Sequence, residues 1–246
     1  MKTVRPILSP IAFLALPLLV YLPALITDYG MHNDYRFLPG NFQDRKPFVE
    51  AEHLYIVGRP LQSVLINVQG WCINRIADLK IARWISWAFM MGFAGLFYRF
   101  LRRGIGLEAF WSAAIVMGMV MLPSSEIYGL WACHFLPGYF TLFFSLSSYL
   151  VFDAAWRNGR GSSAGHKLRA AVLTALSALL FWVALFNYPI NGIFVFVCTF
   201  AYVFFSHQRA RAQAFKIVVR DLVFFGACMA VYFGANAFFL FLTPRP

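Results

Sequence analysis

The residues best suited to chemistry collect in one polar stretch, Thr27 to Pro60, TDYGMHNDYRFLPGNFQDRKPFVEAEHLYIVGRP, set between long apolar runs. Five of the ten acidic residues lie there: Asp28, Asp34, Asp44, Glu50 and Glu52. His32, Asn33 and Asp34 follow the first apolar run within a turn or so, near the depth of a lipid headgroup. A carboxylate at that depth can take a proton from a sugar hydroxyl or hold a divalent cation such as Mg or Mn. Asn33 and Asp34 are equally residues that turns and helix caps use, so spacing leaves both readings open.

Three further groups have the right types. Glu50, Glu52 and His53 form an acidic patch, EAEH, whose members are close enough to converge on an acceptor hydroxyl or a metal ion, or to be solvated loop charges. Glu126 and His134 belong to a second polar stretch, LPSSEIYGLWACHFLPG, that can close over the same site. Glu126 also suits the first turn of a short helix, where negative charge is favoured. The cysteines have no metal-ligand spacing: Cys198 and Cys228 sit inside apolar runs, while Cys72 and Cys133 fall on one predicted side as two small thiols or a pair.

The elements that must position these groups are membrane helices. Hydrophobic residues make up 61% of the chain and charged residues 13%, and several apolar runs reach spanning length. The net charge of +11 does not point to nucleic acid, because the basic residues gather in short clusters beside apolar runs, where they orient spans. The expected fold is all-α, a polytopic transmembrane bundle. The run Ile7 to Ile26 is too long for a signal core and is expected to be an uncleaved first helix, bent at its prolines.

Leu61 to Leu79 decides the topology. Leu61, Val64, Leu65, Val68, Cys72, Ile76 and Leu79 recur every three or four residues, the pattern of an amphipathic helix that lies along the interface or crosses against other helices. If it lies flat, seven helices cross: Ile7 to Ile26, Ile81 to Tyr98, Leu107 to Leu122, Leu136 to Phe152, Leu168 to Phe186, Ile190 to Ser206 and Ile217 to Leu242. All four basic clusters then share one face, the cytoplasm, with the amino terminus, and the polar stretch faces outside. The sequence therefore reads as one transmembrane module over 1–246, with 28–80 as the first outer loop and its interfacial helix. It ends just after a span, as the first part of a longer protein or as a minimal module.

An amino-terminal span, a long outer loop with an early Asp, an interfacial helix and a run of further spans together resemble the module of the GT-C glycosyltransferases. NDYR at Asn33 to Arg36 and VGRPLQSVL at Val57 to Leu65 are similar to bacterial members of the GtrII type, which add glucose to O-antigen. The resemblance implies an inverting enzyme of the bacterial inner membrane. It would take a sugar from a polyprenyl-phosphate donor and pass it to a glycan or glycolipid acceptor outside. Asp34 would be the catalytic carboxylate, and Arg59 the group that clamps the donor phosphate bidentately, with Arg36 as second choice. Gly58 would let the backbone approach closely and Pro60 would open the interfacial helix. Tyr35 stands where many relatives have a second acid, which counts against a two-carboxylate metal site.

Two other classes fit the composition. A transporter or flippase subunit for lipid-linked sugars would carry ionisable groups inside its spans, which here look nearly free of charge. A non-catalytic assembly protein needs no site. Asp153 and Asp221 lie among arginines, where ion pairing accounts for them, and Gly92, Gly95, Gly226 and Gly234 are expected to allow close helix approach.

Overall fold

The computed structural model describes residues 10–28, 54, 57–73, 75–121, 136–161, 163–205 and 211–242, and among these every regular element is helical. The all-α expectation holds for them.

Helix α1, Pro10–Ile26, keeps Pro17 and Pro23 inside it. Its carboxyl end is held by the helix α3, Leu79–Arg99. The Arg83 guanidinium, wholly buried, donates long hydrogen bonds of 3.4 Å to the carbonyls of Ala24 and Thr27, and Lys80 Nζ pairs with Asp28 at 2.7 Å. Cations belong at that end of a helix, where the last carbonyls have no intrahelical donor. The polar stretch therefore leaves the bundle from a fixed point.

Helix α2, Pro60–Cys72, is shorter than the run Leu61 to Leu79 predicts. Ile73 is extended, and a 3-10 turn, Ile76–Asp78, intervenes before α3. The cause is local: Asp78 accepts the backbone N–H of Arg75 at 2.8 Å, offering that N–H a partner other than the helix. The stripe is also reversed from the usual amphipathic sense. Gln62, Ser63 and Gln69 are buried, while Val64 and Val68 are exposed at 58% and 45%. At about 1.5 Å per residue, the helix is roughly 20 Å long, less than the ~30 Å hydrocarbon thickness of a bilayer.

Beyond α3 a π-helical turn, Phe100–Ile105, ends at Gly106, whose φ of +87° suits glycine, and leads to α4, Ala109–Met121. Tyr21 of α1 donates to the Val120 carbonyl at 2.9 Å, tying the first helix to α4.

The centre is a hairpin of α5, Thr141–Gly159, and α6, Ala164–Asn187. Ser163 caps α6 by accepting the N–H of His166. Small residues let the two helices approach, and the serines exchange bonds: Ser148 Oγ donates to the Ser177 carbonyl and Ser177 Oγ to the Ser148 carbonyl, both at 2.8 Å. Asn187 Nδ2 donates to Thr141 Oγ1 at 2.7 Å near the far end. A one-turn helix α7, Pro189–Gly192, leads to α8, Phe194–Phe205, and the long α9 is Arg211–Leu242. Trp182 donates to the Cys228 carbonyl at 3.1 Å, fixing α9 on α6, and Phe152 stacks on Phe224 at 3.9 Å. The core gathers Phe93, Leu146, Phe181, Val195 and Phe225, each fully buried.

Two of the expected spans, in α6 and α9, contain segments long and apolar enough to cross a membrane by themselves, Ala164–Asn187 and Ala212–Phe238. Leu16–Ile26, Ala109–Met121 and Pro189–Phe205 are apolar but shorter. The outward surface is rich in large apolar side chains, with Leu168, Phe215 and Val223 each about two-thirds exposed. Of the four glycines expected at close helix contacts, Gly92 alone is one: a Cβ there would come within 3.0 Å of the Phe143 ring, and Gly95, Gly226 and Gly234 face no atom within 4 Å. Cys72 is exposed and free, and Cys198 and Cys228 are buried thiols.

Candidate functional site

Arg59 is the one predicted site residue among those described. Asp34, Arg36, Glu50, Glu52, His53, Glu126 and His134 lie outside them, as does Cys133.

The backbone sets Arg59 at the start of α2. Its N–H donates to the Leu54 carbonyl at 2.8 Å, and its own carbonyl accepts the N–H of Ser63 at 3.0 Å, the first bond of the helix. Pro60 takes the first helical position, where its missing N–H costs nothing, as the sequence predicts. Gly58 before it has φ of +81°, the left-handed region. A side chain at Gly58 would also be crowded: a Cβ would lie 3.2 Å from the Tyr232 hydroxyl and 3.3 Å from Asn236 Nδ2.

Those two residues come from α9. The Tyr232 hydroxyl donates to the Gly58 carbonyl at 2.7 Å, and Asn236, one turn later on the same face, hydrogen-bonds the Tyr232 hydroxyl. Tyr232 is itself buried and held edge-on by Phe186 of α6. The turn carrying Arg59 is thus tied to the last helix of the described fold.

The Arg59 guanidinium lies over the Tyr188 ring, with its carbon 4.3 Å from the ring centroid. Tyr188 caps α6 and precedes Pro189, so its position follows from the end of the central hairpin. Stacking satisfies the face of the guanidinium and leaves its in-plane donors for other partners. Among the described residues Nε has no hydrogen-bond partner although it is buried. An unmet buried donor costs about 1–3 kcal/mol, which a carboxylate or phosphate oxygen in the plane would recover. Gln62, three positions on and so on the same side of α2, is also buried with its carbonyl Oε1 unpartnered among the described residues. An arginine fork beside an amide suits an anionic ester with adjoining hydroxyls. The alternative of a snorkelling arginine fits poorly, because that side chain would reach outward to water with its nitrogens solvated.

Sequence reasoning missed Tyr188, Tyr232 and Gln62. Nothing local marks Tyr232 as the partner of a residue 174 positions away. Asn236 lies against Gly58, and Asn187 donates its amide to Thr141.

A second polar group lies in the opposite part of the hairpin. Asp221 of α9, wholly buried, accepts from Arg220 Nε at 2.6 Å and from Thr199 Oγ1 at 2.8 Å. Arg220 also reaches Asp153 at 3.2 Å, and Asp153 pairs with Arg157 one turn along α5. Ion pairing accounts for both acids, as their arginine-rich surroundings predict. Asp221 and Arg83 are wholly buried among the helices. Among the described residues no group of three or more His, Cys, Asp or Glu is arranged to hold a metal ion. The chain matches no protein-family model, no curated protein and no solved structure.

Proposed function

We propose that this protein is an integral membrane glycosyltransferase that moves a sugar from a polyprenyl-phosphate donor to a glycan or glycolipid acceptor at the outer face of a bacterial inner membrane. The observation that carries this reading is Arg59: stacked on Tyr188, tied through Gly58 to Tyr232, and left with a buried N–H unmet by any described residue. That is the donor a phosphate oxygen requires.

In this reading the bundle crosses the membrane seven times with its amino terminus in the cytoplasm. Helix α2, too short to cross and apolar on its exposed side, lies at the outer interface. Its start then sits at headgroup depth, where a lipid-linked phosphate resides. Asp34 takes the proton from the acceptor hydroxyl, whose oxygen attacks the anomeric carbon as the bond from that carbon to the phosphate oxygen breaks. The electron pair leaves with the phosphate, and Arg59 stabilises the charge that develops there. Attack opposite the leaving group inverts the anomeric centre. Arg36, Glu50, Glu52, His53, Glu126 and His134 are the further candidates for phosphate and acceptor contacts.

The test is transfer of labelled hexose from polyprenyl-phosphate hexose to lipid-linked glycan in membranes containing Asp34→Asn. Transfer should vanish while the protein remains inserted and monodisperse in detergent; transfer near the wild-type rate would remove Asp34 from the mechanism. A second reading, a transporter or flippase subunit, draws on the buried Arg220 and Asp221 and the half-buried Asp153 paired with them. Movement of lipid-linked sugar across proteoliposomes without transfer would favour it.

A further inference from the structure

The part of the α5–α6 hairpin far from Arg59 contains a cavity of about 230 Å³. Phe152, Trp156, Gly159, Arg160, Ala170 and Thr174 line it, so its walls are apolar and one cation stands at its edge. Gly159 and Arg160 in its lining place it towards the end of the hairpin where α5 finishes and α6 begins.

Charge around this opening is one-sided. Arg157, Arg160, Lys167 and Arg169 are exposed there, and Asp153, the acid nearest in sequence, is already engaged by Arg157 and Arg220. The Arg160 backbone N–H bonds the Asn158 carbonyl, and no partner is shown for its guanidinium among the described residues. Behind the aromatic wall, the Arg220 guanidinium carbon lies 5.3 Å from the Phe152 ring centroid and 5.5 Å from that of Trp156. Its Nη2 is buried and unpartnered among the described residues. Trp156 itself is 45% exposed beside these cations, an amphipathic ring at a helix end.

An apolar slot with a cationic rim and a half-exposed tryptophan matches a molecule that has a singly charged anionic head on an apolar body. We infer that this cavity holds the glycerol and first acyl carbons of an anionic membrane phospholipid, packed against Trp156, with the phosphate at the rim on Arg160. The volume admits that part of the lipid and leaves the chains to run along α6. A zwitterionic lipid places a cation of its own beside the arginines and binds less well. The site is independent of the chemistry at Arg59, since it lies in the opposite part of the hairpin and shares no residue with it.

The experiment is native mass spectrometry of the purified full chain in detergent, titrated with phosphatidylglycerol or phosphatidylcholine of matched chains. The wild type should retain phosphatidylglycerol in preference. Arg160→Gln should lower that retention about fivefold, the effect of one basic residue at an anionic surface. Arg169→Gln, which removes equal charge outside the cavity, should change it less. Ala170→Phe, which fills the slot without altering charge, should also lower it; if that variant loses its monodisperse profile, Arg160→Gln against Arg169→Gln decides. Equal retention of both lipids, equal effects of the two arginine variants, or displacement of the lipid by millimolar inorganic phosphate would each overturn the assignment.

Discussion

The Tyr232 hydroxyl donates to the Gly58 carbonyl at 2.7 Å, joining the last described helix to the turn that presents Arg59. Gly58 suits this position because its φ of +81° is in the left-handed region and a Cβ there would press on Tyr232 and Asn236. Gly58→Ala should therefore destabilise the protein by about 1–2 kcal/mol or more, from the left-handed conformation alone. A thermal unfolding midpoint in detergent unchanged from wild type would show that the turn is not held this way.

Tyr232→Phe keeps the ring against Phe186 and removes the hydroxyl. The Gly58 carbonyl loses its donor, at a cost of about 1 kcal/mol. Because this bond positions Arg59 rather than touching donor, the expected kinetic effect is a raised KM for polyprenyl-phosphate hexose with kcat little changed. The opposite split, kcat reduced at constant KM, would place Tyr232 in the chemical step.

Arg59→Lys preserves charge but loses the planar fork and much of the stacking on Tyr188. Transfer should fall on the order of a hundredfold, the usual cost of removing a donor from a developing oxyanion. Retention of most activity by the lysine variant would mean that a point charge suffices and that the buried Nε is not a phosphate ligand.

Asp221→Ala leaves Arg220 buried with one of its carboxylates gone. Breaking such a pair from one side costs about 3–5 kcal/mol, whereas replacing both partners with apolar residues costs far less. The double variant Arg220→Leu, Asp221→Leu should therefore unfold at a higher temperature than Asp221→Ala. The reverse order would mean that the pair contributes net stability well beyond its own desolvation.

The fold class was legible because apolar runs and basic clusters are properties of the chain itself; α6 ends within one residue of expectation and α9 ends where expected but starts six residues earlier. The break after Cys72 was not, since periodicity continues through Ile76 and Leu79 and only the Asp78 side chain on the Arg75 N–H interrupts it. The direction in which α2 faces was also hidden. A stripe of Val64 and Val68 reads as a buried face in water and as a lipid-facing one in a membrane, so the pattern alone does not say that Gln62 and Ser63 turn inward. At the candidate site, Gly58, Arg59 and Pro60 could be singled out from their types and order. Tyr188 and Tyr232 could not, because their roles exist only after α6 and α9 have packed.

The crossed bonds between Ser148 and Ser177 join residues 29 positions apart, whereas Tyr232 and Gly58 are 174 apart. Contacts of short separation close quickly and those of long separation late. The α5–α6 hairpin is thus an early unit, and α9 leaves the ribosome after every other described helix. Until it docks, the turn at Gly58 lacks its clamp and Arg59 is unplaced. Among the described contacts this clamp closes late, so hydrogen exchange at Gly58 and Arg59 reports the docking of α9, and exchange along the hairpin reports an earlier step.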